Sequence, residues 1–288
     1  MKRLLITLCT LIAISAKVIS QDIQPIVPVS QLPYWETPKE YGRPGWEERG
    51  PEYAKWLAPS VRVTKGGGGS GTICYYDAAE NWAYVISCGH LFSMGYKSRQ
   101  DYQKKPDTRK IEVFYHNEKR LSQPDVYEGE VLCHVWDGFY DVSLLRFKPK
   151  WENPWVAQIA PVDYKLEQKQ YHSCGCDGLT ETAHYLVTYI QERNTRSGVT
   201  EILTQGNGPR GGRSGGGTLT DDGQLVFICS RGDGKYAYWS SLNQIHKFLT
   251  QEGFKDVLEG VTLANKIPII DRNNPQGKYS QKYIPSPK

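Results

Sequence analysis

The run Gly211-Gly212-Arg213-Ser214-Gly215-Gly216-Gly217 encloses a single serine between glycines. Glycine weakens the interior of a strand, because it loses more backbone entropy on folding than other residues and has no side chain to pack. Such a run fits a place where the backbone turns sharply and another molecule comes close. Successive N–H groups in such a turn can also point at one spot, as the stabilisation of a negatively charged oxygen requires. The alternative is a Gly/Ser surface turn without a function.

Two further residues stand at positions that fit chemistry at a serine. His90 follows the predicted strand Trp82–Ser87, and Asp141 opens the apolar run at residues 142–147. Taken singly, each has a simpler explanation: a structural or exposed histidine, and a turn aspartate. Together they supply what a serine hydroxyl needs, because imidazole has a pKa near neutrality and can take the hydroxyl proton. A carboxylate can hold that imidazole in one tautomer.

The three residues follow one another along the chain in the order His90, Asp141 and Ser214. In this order the sequence resembles the trypsin/chymotrypsin superfamily of serine proteases. It is most similar to the bacterial high-temperature-requirement (HtrA-like) branch, and the resemblance spans about residues 60–249. The matching motifs are Gly69-Ser70-Gly71 before the first hairpin, His90 at its end, DVSLL at residues 141–145, and GRSGG at residues 212–216.

The resemblance implies two six-stranded antiparallel β-barrels with the active site in the cleft between them. His90 and Asp141 would come from the first barrel and Ser214 from the second. Ser214 would be the nucleophile, His90 the general base and Asp141 the residue that orients it. The backbone N–H groups of Gly212 and Ser214 would form the oxyanion hole. The expected substrate is a protein or peptide, and no cofactor is implied.

The primary specificity pocket would be lined by residues 206–210 and 229–232. Gly208 stands six residues before Ser214, where trypsin carries the acidic residue of its pocket floor. Cleavage after Lys or Arg is therefore not favoured, and an uncharged side chain is the expected specificity. The predicted substrate-binding residues are Gly208, Arg210, Ser230, Arg231 and Gly232.

Departures from the trypsin pattern bear on activation and on activity. Arg213 replaces the aspartate that pairs with a new amino terminus in trypsin, and no Ile-Val-Gly-Gly start precedes the first barrel. We therefore expect a protease that needs no zymogen cleavage. Arg213 and Gly217, where many relatives have proline, also leave open a catalytically inactive relative that serves as a binding module. A third possibility is an exported adhesion or carbohydrate-binding domain.

Two rival residues lie close to the proposed site in the sequence. Asp137 belongs to a Trp-Asp-Gly turn, and His134 follows a cysteine in the middle of a predicted strand. We expect a packing role for His134 and a turn role for Asp137.

The amino terminus has the layout of a secretory signal peptide. Lys2 and Arg3 precede an apolar run, Leu4–Ala16, that is too short to cross a bilayer as a helix. We expect cleavage before Gln21, with cleavage after Ala16 as the alternative. The mature protein would be secreted or periplasmic, with no membrane segment.

Export would place the cysteines in an oxidising compartment. Removal of Cys9 with the signal leaves six, which suggests disulfides, and the hairpin arms make Cys74 with Cys88 the first candidate pair. The cluster at residues 172–176, which holds His172, Cys174 and Cys176, is also compatible with a metal. No second CxxC-type pair supports that interpretation, so no metal is predicted.

Composition and patterning favour an all-β fold. The chain has 288 residues, is 39% hydrophobic and 23% charged, and carries a net charge of +4 without basic clusters, which argues against nucleic acid as a partner. Many short Val/Ile/Tyr runs predict strands, and Leu242, Ile245, Phe248 and Leu249 share the face of one helix capped by Ser240 or Ser241. The predicted organisation is a signal peptide at 1–20, an aromatic arm at 21–59, the first barrel at 60–150, the second barrel with the helix at 151–258, and a tail at 259–288. The oligomeric state is not predicted.

Overall fold

The computed structural model describes residues 53–260, except residues 66, 117–118, 138–139, 180, 195–199, 207–210 and 233–235. The predicted signal peptide, most of the aromatic arm and nearly all of the tail lie outside the described residues. Within the described ranges, no helix combines the length and the apolar character needed to cross a membrane.

The first barrel is one antiparallel sheet that closes on itself. Its strands follow the order β6-β5-β1-β2-β3-β7, and the pairing of β6 with β7 completes the ring, while the short β4 extends β6 on the outside. The bounds are β1 Ser60–Thr64, β2 Gly68–Asp77, β3 Trp82–Ser87, β4 Gly95–Lys97, β5 Thr108–His116, β6 Lys119–Trp136 and β7 Asp141–Phe147.

Alternating apolar side chains fill the interior of this barrel. In β1, Val61 and Val63 are buried, whereas Arg62 between them is partly exposed. Ile73 of β2 lies opposite Val85 of β3 in the antiparallel register, and both side chains are fully buried. Branched side chains suit this position because they pack well on a pleated surface.

The second barrel closes in the order β10-β13-β12-β11-β8-β9. Large aromatic residues fill its core, among them Tyr171, Phe227 and Trp239, all at most 1% exposed. The Trp239 indole N–H donates a 2.7 Å hydrogen bond to Thr204 Oγ1, so its one polar atom is satisfied inside the barrel. The bounds are β8 Gln170–Cys176, β9 Thr182–Asn194, β10 Thr200–Gly206, β11 Gly217–Leu219, β12 Leu225–Gly232 and β13 Tyr236–Ser240.

The carboxy-terminal helix begins where the sequence indicated. Ser241 is its N-cap: the hydroxyl accepts the Gln244 N–H, and the Gln244 side chain accepts the Ser241 N–H at 2.7 Å. The predicted apolar face is buried. The helices are α1 Ala54–Leu57, α2 Arg99–Lys104, α3 Leu242–Gln251 and α4 Lys255–Glu259, with 3₁₀ turns at Gly89–Leu91 and Asp177–Leu179. Two six-stranded barrels with a carboxy-terminal helix are the predicted architecture, which is confirmed.

The expected pairing of Cys74 with Cys88 is wrong. Both thiols are free and buried, as are the other four in the described part of the chain. The register explains why: Thr72 lies opposite Ile86, so Cys88 falls level with Ser70, four residues from Cys74 along the hairpin. That is about 13 Å of strand, whereas bridged cysteines have Cα atoms less than about 7 Å apart.

Candidate active site

His90 and Asp141 meet because their strands are antiparallel neighbours. Ser87 at the end of β3 pairs with Ser143 near the start of β7, so the segment that follows β3 and carries His90 lies beside the start of β7. The 3₁₀ turn Gly89–Leu91 then directs the imidazole back toward the carboxylate. His90 Nδ1 lies 2.7 Å from Asp141 Oδ2, and the His90 backbone N–H donates to Asp141 Oδ1 at 2.8 Å.

The second barrel completes the surroundings of Asp141. The Ser230 hydroxyl donates to Asp141 Oδ2 at 2.6 Å, and the Ser240 hydroxyl donates to the Asp141 backbone carbonyl at 2.9 Å. Burial alone would raise the pKa of Asp141, but the hydrogen bonds from His90 and Ser230 outweigh it and hold that pKa below its usual value. The carboxylate is therefore ionised and only accepts. His90 must carry its proton on Nδ1, which leaves the Nε2 lone pair free in the neutral ring.

Ser214 lies in the loop before β11, against the turn that carries His90. Its carbonyl accepts the Ser70 N–H at 2.7 Å. A Cβ placed on Gly69 would come within 2.6 Å of that carbonyl and 2.7 Å of the Leu91 side chain, so the loop and the turn meet at the same point. The Ser214 hydroxyl forms no hydrogen bond with a described residue, and His90 Nε2 instead lies 3.7 Å from Cys88 Sγ.

Ser70 of the first barrel fixes the loop that precedes Ser214. Its hydroxyl donates to the Gly212 carbonyl at 2.7 Å and accepts the Cys176 N–H from the second barrel, also at 2.7 Å. This contact fixes the Gly212 carbonyl. Within the described ranges, the N–H groups of Gly212 and Ser214 donate to no residue. An oxyanion hole needs backbone donors that have no other acceptor and that point at one spot, and these two groups meet the first condition.

Gly215 allows the loop to pack this closely. Its φ is +87°, and a Cβ there would overlap Ser87 Oγ and the Ser70 carbonyl. We expect Gly215→Ala to lower the free energy of unfolding by at least about 2 kcal/mol, because it combines a left-handed backbone with a clash against main chain. Gly211→Ala is the matched control in the same loop: its Cβ would meet nothing within 4 Å. Urea unfolding of both variants measures the difference, and equal stabilities would contradict the packing described.

Arg213, the residue before Ser214, forms a buried ion pair. Its Nε and Nη2 donate to the two Asp177 carboxylate oxygens at 2.9 and 3.1 Å, and Nη1 donates to Ser173 Oγ at 3.2 Å. The guanidinium lies 3.8 Å from the centre of the Tyr185 ring. Arg213 and Asp177 are only 2% and 6% exposed. A fork-to-fork pair of this kind fixes direction as well as distance, so it orients the residue before Ser214.

Breaking this ion pair should destabilise the fold strongly. Asp177→Asn leaves the Arg213 charge buried without its counter-ion, and the expected loss is about 3–5 kcal/mol of unfolding free energy. Lys150→Ala is the control, because Lys150 pairs with Asp125 at an exposed position and its removal is expected to cost less than about 1 kcal/mol. Denaturant titration of the two variants compares them directly. A loss below 1 kcal/mol for Asp177→Asn would contradict a structural role for the pair.

The structure describes three of the five predicted substrate-binding residues. Gly208 and Arg210 lie outside the described residues. Ser230 contacts Asp141 through its hydroxyl, a role that the sequence did not indicate. Arg231 and Gly232 are exposed at the end of β12, with the Arg231 guanidinium 5.1 Å from the centre of the Tyr238 ring.

The rival histidine and aspartate have structural partners. His134 is fully buried, with Nδ1 2.7 Å from the Tyr102 hydroxyl and Nε2 2.9 Å from the Ser93 carbonyl. Burial lowers its pKa, so it is neutral at pH 7. Asp137 is exposed and accepts the Tyr140 N–H at 2.8 Å, which is a turn interaction.

Metal-ligating side chains come together at a place that the sequence did not suggest. The ring nitrogens of His172 lie 2.8 Å from His184 Nε2 and 3.1 Å from Asp221 Oδ1. Instead Cys88, His90 and Asp141 each offer one ligand atom, and these three atoms lie within 4.8 Å of one another.

Two closed six-stranded antiparallel barrels are the fold of the trypsin-like serine proteases. The active form of the Rv3671c protease from M. tuberculosis is similar to this chain with a TM-score of 0.50 and 14% identity, over 77% of this chain and 93% of that one. An inactive form gives 0.51 and 13%, over 74% and 98%. Deg5 gives 0.51 and 14%, over 70% and 91%.

At these identities the likeness establishes the fold, and the resemblance seen in the sequence motifs is confirmed at that level. Neither the family profiles nor the curated protein sequences give a match.

Proposed function

We propose that this chain is an exported serine endopeptidase that hydrolyses peptide bonds with Ser214, His90 and Asp141. The observation that carries the proposal is the fixed imidazole: Asp141 accepts both the ring and the backbone N–H of His90, at 2.7 and 2.8 Å. A histidine held at Nδ1 by an ionised carboxylate presents Nε2 as a base. The loop that bears Ser214 packs against the same turn.

The reaction follows from these positions. Ser214 Oγ attacks the substrate carbonyl while its proton passes to His90 Nε2, and Asp141 stabilises the imidazolium that forms. The N–H groups of Gly212 and Ser214 donate to the oxyanion, where one donor is typically worth about 10²–10³ in rate. His90 then gives the proton to the leaving amine, and water repeats the sequence on the acyl-enzyme. Without substrate, a loose contact between nucleophile and base is common, and it tightens in the complex.

Activation without zymogen cleavage is part of the proposal. The Arg213 side chain already has an internal partner in Asp177, so the residue before Ser214 needs no new amino terminus to orient it. The expected preference for an uncharged side chain at the cleaved bond rests on the sequence alone, because Gly208 stands where trypsin has its acidic residue.

Export is proposed from residues 1–20 alone. Amino-terminal sequencing of the protein recovered outside the cytoplasm of an exporting host is expected to begin at Gln21, or at Lys17 for the alternative site. Recovery only inside the cell with Met1 retained would contradict export.

A labelled fluorophosphonate tests the catalytic assignment. The folded protein is expected to become covalently labelled, and peptide mass spectrometry is expected to place the label on Ser214. Ser214→Ala should lose the label, whereas Ser93→Ala, at an exposed serine, should keep it. A folded wild-type chain that does not label would support the binding module instead.

A further inference from the structure

Cys88 is placed against the proposed general base but has no part in the proposed reaction. Its Sγ lies 3.7 Å from His90 Nε2, the same nitrogen that would take the serine proton. The Cys88 side chain is fully buried, and burial raises the pKa of its thiol well above the usual value. The metal-free thiol is therefore neutral and a poor nucleophile.

The distance between these two atoms matches a metal chelate. A tetrahedral Zn²⁺ ion with sulfur at about 2.3 Å and nitrogen at about 2.0–2.1 Å requires a separation of roughly 3.6 Å between the two ligand atoms. Cys88 Sγ and His90 Nε2 have that separation before any cation binds. A cation can therefore bridge them with little movement of the buried thiol or of the anchored ring.

Asp141 would act on such a cation through His90. Its two carboxylate oxygens already accept hydrogen bonds from His90 and Ser230. A carboxylate on the far nitrogen of a ligating histidine fixes the ring and raises its basicity, and this arrangement recurs around zinc-bound histidines. The feature that prepares His90 as a base also prepares it as a ligand.

We propose that Cys88 and His90 form an inhibitory site for a thiophilic divalent cation of the Zn²⁺ or Cd²⁺ type. On binding, the Cys88 S–H bond breaks and its proton goes to solvent. Bonds then form from the cation to Sγ and to Nε2, and they displace two of the cation's waters. The Nε2 lone pair is no longer available to Ser214. The inhibitory consequence rests on the proposed protease function, whereas the metal site rests on the geometry alone.

Cadmium absorption tests the site without reference to activity. Cd²⁺ bound to a thiolate gives a charge-transfer band in the near ultraviolet. Reduced wild-type protein is expected to show the band at one equivalent, and Cys88→Ala to lose it. Cys74→Ala is the matched control, because Cys74 is also buried in the same barrel and its thiol donates to the Tyr84 carbonyl. Cys88→Ser serves as a second variant if alanine impairs folding.

Fluorophosphonate labelling in the presence of Zn²⁺ tests the inhibition. Zn²⁺ is expected to slow labelling of the wild type and of Cys74→Ala, while Mg²⁺, which prefers oxygen ligands, should not. Each labelling rate is first divided by the same protein's rate without metal. The half-inhibitory Zn²⁺ concentration of Cys88→Ala should then be at least about 100-fold higher than that of the wild type, because loss of an outer-shell partner alone typically weakens metal binding 10–100-fold.

Two results would overturn the inference: a cadmium band that persists without Cys88, or equal Zn²⁺ sensitivity of Cys88→Ala and wild type. Absence of labelling without any metal would count against the protease function instead, and the cadmium spectrum would still decide the metal site.

Discussion

Alanine at either Ser214 or His90 is expected to lower kcat for peptide hydrolysis by roughly 10⁶-fold, and the double variant should lose no more than either single one. Nucleophile and base act as one unit, so removal of either leaves only the contribution of the oxyanion hole and of substrate binding. Steady-state hydrolysis of an unstructured protein substrate, with active-site titration, measures these losses.

The control for this series is His134→Gln, which replaces the rival histidine. His134 is buried, with hydrogen-bond partners in Tyr102 and Ser93, and forms no hydrogen bond with Asp141 or Ser214 in the described structure. The variant is expected to be less stable but to keep kcat within about tenfold. Multiplicative losses in the Ser214/His90 double variant, or a comparable loss in His134→Gln, would show that the triad assignment is wrong.

Asp141→Asn should reduce kcat by about 10⁴-fold while the protein stays folded. The asparagine amide cannot accept from the His90 ring, the His90 N–H and the Ser230 hydroxyl as the carboxylate does. If its NH₂ group faces Nδ1, the imidazole changes tautomer and its remaining proton blocks Nε2. Ser230→Ala, which removes one donor and leaves the carboxylate, is the graded control and should lose far less than Asp141→Asn.

The same substitution has a stability signature that depends on pH. Because the pKa of Asp141 is lower in the folded than in the unfolded chain, its ionised form stabilises the fold at neutral pH, and that contribution is lost as the pH falls below about 4. The difference in unfolding free energy between wild type and Asp141→Asn should therefore shrink between pH 7 and pH 3. A difference that stays constant over this range would contradict the lowered pKa.

The strands of both barrels could be predicted because their signal is local. Alternating or branched apolar residues predicted most of the strands, including β1, β3 and β12. Helix α2 was missed because it buries only Tyr102 and so has no apolar periodicity, although Ser98 and Asp101 form a capping box that the sequence contains. Strand β13, with Tyr238 and Trp239, was also missed, although its aromatic residues are typical of strands. Barrel closure came from the family resemblance and not from any local pattern.

In the candidate site, too, some residues could be predicted from local sequence and others could not. His90, Asp141 and Ser214 have local contexts that single them out, whereas the partners of these residues are visible only in the fold. Asp177 lies 36 residues from Arg213, and Ser230 lies 89 residues from Asp141. The cysteine pairing failed for a related reason: the sequence gives the two arms of a hairpin but not their register, and the register sets which residues face each other.

The contacts of Ser70 make the shape of the candidate site depend on both barrels. One residue of the first barrel holds the loop of the second barrel that bears the proposed nucleophile, through its hydroxyl to Gly212 and its N–H to Ser214. The second barrel by itself lacks the Ser70 hydroxyl that accepts the Cys176 N–H and donates to the Gly212 carbonyl. A movement that separated the barrels would break these contacts and disturb the proposed active-site loop without breaking a strand pairing within either sheet.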